Sequence, residues 1–186
     1  MNLYLHILKL LIENKDTEYS IREISKLLKK DYKNTYDAVQ KILGSVVLTK
    51  KGNASYLKFK PLLTDQIYLV ERYRYSALSE KLSLIKKDLN SISNPFFIAI
   101  VFGSYAKSTA SSNSDIDICL LYDSKTKIKS IIDLLLINPK VELHLFHYSE
   151  FLRMIDSKTF NVGHEILNHG IILNNIEGYY RVIRHG

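Results

Sequence analysis

Residues 97–121 read FIAIVFGSYAKSTASSNSDIDICLL. Phe97 to Phe102 is a continuous apolar run, the pattern of a strand buried on both faces, and Gly103-Ser104 ends it abruptly. A polar helix start follows. A second strand then carries Asp115, Asp117, Cys119 and Leu121 on one face, because strand side chains alternate with period two. The two carboxylates stand roughly 6.5–7 Å apart at their Cα atoms by strand rise, next to the Gly-Ser turn. Adjacent carboxylates repel unless a cation shares them, and Mg²⁺ is the hard, oxygen-seeking ion that also brings substrate phosphates. Gly103 lets the backbone approach a triphosphate, with the Ser104 hydroxyl and main-chain N–H groups as donors and Lys107 as a point charge. The plain alternative is an exposed Asp-Xaa-Asp at a strand start beside an ordinary turn. The preceding strand, the glycine turn and the following apolar strand together favour the metal reading.

With those residues in place, the segment resembles the DNA polymerase β-type nucleotidyltransferase superfamily. FGSYAK…SDIDI is most similar to its small prokaryotic minimal nucleotidyltransferases. The resemblance makes Gly103 and Ser104 triphosphate contacts and Asp115 and Asp117 metal ligands. Ser108 departs from it, standing where the family commonly has a glycine, which bears on the loop's geometry. The family's third carboxylate is sought on a later strand. Lys140 to Phe146 has strand character after the Asn138-Pro139 turn, and its Val-Glu-Leu resembles the family's Val-Asp-Leu segment, with Glu142 in place of Asp. The rival Asp123 lies roughly 20 Å along the strand from Asp117, too far for ions about 3.5–4 Å apart. Tyr105 and Lys107, just after the turn, are expected nucleotide contacts. His144 shares a strand face with Glu142 and is a weaker nucleotide contact; His147 points the other way. His164, His169 and His185 read as surface or helix-end residues. No cysteine partners exist for zinc.

The 186 residues are 46% hydrophobic, enough for one medium or two small cores. No apolar run approaches the 18–20 residues that would span a membrane. The opening MNLYLHILKLLI lacks a basic leader and a cleavage site, so it reads as a helix. The single cysteine, Cys119, reads as a buried thiol in a reducing cytosol. Residues 1–60 hold 12 Lys+Arg against 6 Asp+Glu, whereas residues 61–186 hold 14 against 13. That asymmetry favours an anionic partner for the N-terminal third, with a solvated lysine face as the ordinary alternative.

The N-terminal third carries three helical patterns. Residues 2–14 are the first, and Ser20 with Glu23 forms a capping box for a second, whose core face is Ile21, Ile24, Leu27 and Leu28. Asn34 to Leu43 is the third, with Gly44 as C-cap. Val46–Leu48 and Tyr56–Phe59 flank Thr49–Ala54, a hairpin with a basic tip. The order resembles a winged helix-turn-helix domain of prokaryotic regulators. That resemblance implies DNA contacts from Tyr32, Lys33, Asn34, Thr35, Tyr36 and Gln40 on the third helix, and from Lys50, Lys51 and Asn53 on the wing. Such domains also serve protein interaction and dimerisation.

A long helix is expected from Thr64 to Ser91. It is either a linking rod roughly 38 Å long, suited to a homodimer, or the first helix of the catalytic sheet. Asn90 to Pro95 breaks it. Downstream, helices are expected at Lys125–Ile137, after Ser149 and at Asn161–Asn168, with a short strand Ile171–Leu173 and a last turn at 178–183. The expected fold is therefore α+β: a winged helix (1–61), a linking helix (62–94) and a polymerase β-like nucleotidyltransferase domain with a mixed sheet flanked by helices (95–186).

The resemblance implies two Mg²⁺ ions held by Asp115, Asp117 and Glu142, with ATP or another NTP as donor. It implies transfer of a nucleoside monophosphate, AMP by default, to a hydroxyl of a protein, an RNA or a small molecule. A protein acceptor such as a toxin fits the minimal nucleotidyltransferases that act as antitoxins. The rival reading is a cytoplasmic DNA-binding transcriptional regulator whose nucleotidyltransferase domain has degenerated into a nucleotide sensor. Ser108 and Glu142 keep that rival open.

Overall fold

The computed structural model describes residues 1–92 and 97–184, so most of the expected Asn90–Pro95 break, the 94/95 boundary within it, and His185 lie outside the described residues. The chain divides into two compact units, residues 1–70 and 71–186, each with its own sheet.

In the first unit, α1 (Leu3–Ile12) buries Ile7, Leu8, Leu11 and Ile12. The short strand β1 (Tyr19–Ser20) leads into α2 (Ile21–Leu27), opened by a reciprocal capping box: Glu23 N–H donates to Ser20 Oγ, and Ser20 N–H donates to the Glu23 carboxylate. Leu27, expected in the core, is 56% exposed. A helical face runs i, i+3, i+4, so Ser25 joins Ile21 and Ile24 inside and Leu27 turns outward. The next helix, α3 (Tyr32–Gln40), starts two residues earlier than expected, because the Asp31 carboxylate accepts the Asn34 N–H at 2.8 Å. Gly44 is no C-cap; it sits in a 3₁₀ turn, Leu43–Ser45. The hairpin strands β2 (Val46–Lys51) and β3 (Ala54–Phe59) pair right up to Lys51 opposite Ala54. Its tip is therefore only Gly52-Asn53, with Gly52 at φ 60°, as a two-residue turn needs. The antiparallel sheet has the order β1-β3-β2.

The expected continuous rod is broken. It becomes α4 (Asp65–Ser76), a 3₁₀ turn (Glu80–Leu82) and α5 (Ser83–Ser91). Spacing of three to five residues keeps a stripe alive across a break, and here Leu78, Leu82, Ile85 and Leu89 pack into the core of the second unit's sheet. Within α4, Arg74 is buried beside Glu71 (2.8 Å). It donates to the backbone oxygens of His169 and Gly170, while Tyr180 O–H donates to Glu71 at 2.7 Å.

The second unit is built on β4 (Phe97–Val101), followed by the one-turn α6 (Gly103–Ala106), β5 (Ile116–Tyr122), α7 (Lys129–Leu135), β6 (Val141–His147), α8 (Tyr148–Ile155), α9 (Val162–His169), β7 (Ile171–Asn174) and α10 (Ile176–Arg184). The sheet order is β6-β5-β4-β7; β5 and β6 run parallel, and β4 is antiparallel to both of its neighbours. All five residues of β4 are buried, as its unbroken apolar run requires. Phe97, Ala99, Val101, Ile116, Ile118, Leu120 and Val141 form one packed face under α5 and α7. Asp117, Cys119, Glu142 and His144 alternate with those residues and so belong to the opposite face. The Cys119 thiol is buried there, its ionisation pushed far up by desolvation.

Candidate functional site

The site lies where β4 ends and β5 and β6 begin. Phe102 N–H donates to Asp117 O at 3.0 Å, which ties the end of β4 to the start of β5. The parallel register then sets Asp117 directly opposite Glu142. Gly103 turns the chain with φ 62°. A Cβ at this position would collide with the Asp117 carboxylate, so glycine is required twice, by the backbone and by the space its neighbour occupies. His144 is two residues beyond Glu142 on the same strand face, with Nε2 3.4 Å from Glu142 Oε1 and its ring edge-on to Phe102 at 5.0 Å.

One ligand atom from each of Asp117, Glu142 and His144 lies within 4.8 Å of the other two. Partial burial, and then the facing Glu142 charge, push the Asp117 carboxyl above the usual carboxylate range; Glu165 and Asp115 add to the rise and His144 opposes it. His144 Nε2 is itself buried without a hydrogen bond. Two crowded carboxylates and an unsatisfied ring nitrogen converging on one point form a donor set that fits a divalent cation.

The other sequence-based candidates divide. Ser104 is half-buried on the first turn of α6, beside Gly103. Asp115 is exposed and precedes β5, outside the close cluster, although its charge reaches Asp117. The side chain of Tyr105 points away from the turn: each helical residue rotates by about 100°, which carries it into the core, where Tyr105 is 6% exposed among the residues under α5. Lys107 is exposed, but its ammonium donates to Glu165 of α9 at 2.6 Å. Glu165 escaped the sequence reading because only the packing of α9 beside α6 brings it here. Ser108 keeps the turn despite its side chain: at φ 58° it ends α6, with Thr109 N–H donating to Ser104 O and Ser108 N–H to Tyr105 O.

In the first unit, Tyr32 and Tyr36 are 55% and 45% exposed on α3, and Lys33, Asn34 and Gln40 are exposed with them. Thr35 is not available for contact: it is fully buried, and its hydroxyl donates to Asp31 O at 2.8 Å. On the hairpin, Lys50, Lys51 and Asn53 are all exposed; Lys51 also pairs with Glu18 at 2.6 Å and lies over the Tyr56 ring. A groove of about 600 Å³ runs between α2, α3 and the hairpin tip, lined by Arg22, Lys26, Tyr32, Tyr36 and Asn53. Arg22 and Lys26 were missed by the sequence reading. Their i, i+4 spacing on the outer face of α2 was the available signal.

No curated protein matches the chain. Among solved structures it is similar to one described as "Crystal structure of the toxin-antitoxin with AMP-PNP", at 18% identity over 58% of this chain and 82% of that one, with a TM-score of 0.36. Among the described residues, no helix is long and apolar enough to cross a membrane. The sequence profile of the family described as "Polymerase beta, Nucleotidyltransferase" matches residues 80–177, more than half of the chain, and the protein therefore belongs to that family.

Proposed function

We propose that the second unit transfers a nucleoside monophosphate, AMP from ATP by default, to a hydroxyl group and releases pyrophosphate. The observation that carries this reading is Gly103, left-handed and seated against Asp117, with Glu142 in register on the neighbouring strand. Asp115, Asp117 and Glu142 would hold Mg²⁺, which when bound neutralises the triphosphate's charge and activates the attacking hydroxyl. Gly103 lets Asp117 press against the backbone, so that phosphate oxygens held by its metal would lie beside the turn. The first N–H groups of α6, which have no partner within a helix, donate to them together with the Ser104 hydroxyl. Lys107 serves the triphosphate by exchanging its Glu165 carboxylate for a phosphate oxygen. Glu142, 60% exposed, is open to an approaching acceptor. Of the acceptor classes, a protein such as a toxin suits a minimal nucleotidyltransferase best.

The first unit is read as a winged helix-turn-helix that brings the enzyme to nucleic acid. Lys33, Asn34, Tyr36, Gln40, Lys50 and Asn53 make the contacts, and Arg22 and Lys26 supply charge from the groove wall. Purified protein incubated with α-labelled ATP and Mg²⁺, with and without cell lysate, tests the enzyme against an Asp117→Asn control. Label on protein or RNA that requires Asp117 is the expected result. ATP bound but never transferred, together with salt-dependent DNA binding that ignores Asp117, would replace the enzyme with a DNA-binding nucleotide sensor.

A further inference from the structure

His144 changes the chemistry of the carboxylate cluster. Period-two alternation on β6 puts it on the Glu142 face, and the β5–β6 register brings Asp117 to the same point. Its Nε2 is buried, makes no hydrogen bond and stands 3.4 Å from Glu142 Oε1. The Phe102 ring, edge-on at 5.0 Å, gives the imidazole an apolar support on its own face of the sheet. The approach to Glu142 is an ion-pair distance without hydrogen-bond geometry, which leaves the nitrogen's lone pair or N–H uncommitted to a directed bond. It converges with Asp117 and Glu142 on a shared point within ligand reach.

The ion such a point prefers follows from donor type. Carboxylates alone suit Mg²⁺, whereas an imidazole nitrogen adds affinity for first-row transition ions and little for Mg²⁺, which favours oxygen and keeps its waters. The nearby charges of Asp115 and Glu165 attract every dication alike, so they raise affinity without choosing between ions. We propose that Asp117, Glu142 and His144 form a mixed carboxylate–imidazole site that binds Mn²⁺ in preference to Mg²⁺, with His144 Nε2 as the ligand that discriminates. The proposal rests on the metal reading of the site above, and it stands apart from whether transfer occurs.

The test uses the full chain without nucleotide. Loss of the free Mn²⁺ electron paramagnetic resonance signal gives the Mn²⁺ affinity, and competition gives that of Mg²⁺. Expected is Mn²⁺ binding at least about tenfold tighter than Mg²⁺, a loss of about tenfold for Mn²⁺ in His144→Ala, and Mg²⁺ affinity moving by no more than about twofold. His144→Gln, closer in volume and checked by thermal melting, repeats the comparison should the alanine variant fold poorly. On the wild-type chain, substoichiometric Mn²⁺ should broaden the imidazole proton signals of His144 before those of the other histidines. Equal affinities for the two ions, a Mn²⁺ titration unmoved by His144→Gln, or broadening that begins at another histidine would each overturn the assignment. Label transfer by the wild-type chain separates the two readings. Mn²⁺ preference without transfer leaves the metal site standing and removes the enzyme; Mg²⁺-supported transfer without Mn²⁺ preference removes the metal assignment alone.

Discussion

Gly52 at the hairpin tip of the first unit and Gly103 at the end of β4 in the second have nearly the same backbone, φ 60° and 62°. Their surroundings differ completely. A Cβ on Gly52 meets nothing within 4 Å, while one on Gly103 collides with the Asp117 carboxylate. The same residue in the same conformation therefore answers two questions. At the hairpin it solves a turn. At the second site it solves the turn and also leaves the space into which a carboxylate is pressed, so fold and chemistry share one requirement. Function is easiest to read in a chain where it is coupled to the backbone in this way, and hardest where it is spread over a free surface such as α3.

The largest expected effect comes from removing the carboxylate that Gly103 accommodates. Asp117→Asn should lower nucleotidyl transfer by about a thousandfold or more while DNA affinity stays unchanged; transfer surviving at wild-type level would end the comparison, because Gly103 would then be only a turn. The same variant has a signature in stability. Burial and Glu142 raise the Asp117 carboxyl in the fold, so its charged form destabilises the metal-free protein above that raised value. The destabilisation is relieved as pH falls through it. In the first unit the sign reverses: Glu18, Glu23 and Asp31 are lowered by their partners Lys51, Ser20 and Asn34 respectively. Their contribution is present at neutral pH and lost on acidification. Amide exchange followed from neutral pH into the carboxylate range should show protection falling in residues 1–70. In residues 71–186 it should fall less, and Asp117→Asn should narrow the difference by removing the second unit's share of it.

Next in size is the pair of glycines itself. Gly103→Ala should cost about 3 kcal/mol, the left-handed penalty plus displacement of Asp117, and transfer should fall with it. Gly52→Ala should cost only about 1 kcal/mol from the backbone alone. Equal losses in a denaturant titration would mean that the carboxylate yields freely and that the contact at Gly103 sets nothing.

The surface counterpart is smaller. Lys33→Ala on α3 should weaken binding to duplex DNA by about tenfold and lower the slope of log affinity against log salt by about one. Nucleotidyl transfer to a freely diffusing acceptor should not change. If neither affinity nor slope moves, the basic excess of the first unit is a solvated face.

The family assignment was legible because Gly103, Ser104 and Asp117 sit at fixed separations along two strands that period and turn chemistry predict well. Glu142 was reachable only through the resemblance of Val141-Glu142-Leu143 to the family's third-carboxylate segment, because the parallel β5–β6 register that sets it opposite Asp117 depends on the crossover through α7. What escaped depended on rotation and on distant packing. Tyr105 follows Ser104 by one residue, but a single helical step carries it from the site into the core. Thr35 lies among exposed neighbours on α3, yet that same step buries it, and its hydroxyl bonds the first turn. Glu165 and the groove residues Arg22 and Lys26 reach their places through helix packing that no local pattern encodes. The break at residues 77–79 was invisible because a stripe with loose spacing reads alike in one helix or in two.

Ser108, with Glu142 one of the two departures from the family pattern, gives the finest test of the comparison. A serine at φ 58° bears the left-handed penalty that Gly52 and Gly103 avoid. It is held there by the two backbone bonds that end α6, Thr109 N–H to Ser104 O at 2.9 Å and Ser108 N–H to Tyr105 O at 3.3 Å. Those bonds need only backbone atoms, so the turn survives the departure and the loop carrying Ser104 stays in place. Ser108→Gly should therefore raise stability by about 0.5 kcal/mol, the relieved strain less the greater freedom glycine gains in the unfolded chain. The affinity for ATP should be unchanged. An affinity that rose severalfold would show instead that the serine holds the triphosphate turn away from its best position, and that the contrast between a structural and a functional left-handed residue extends to this third site.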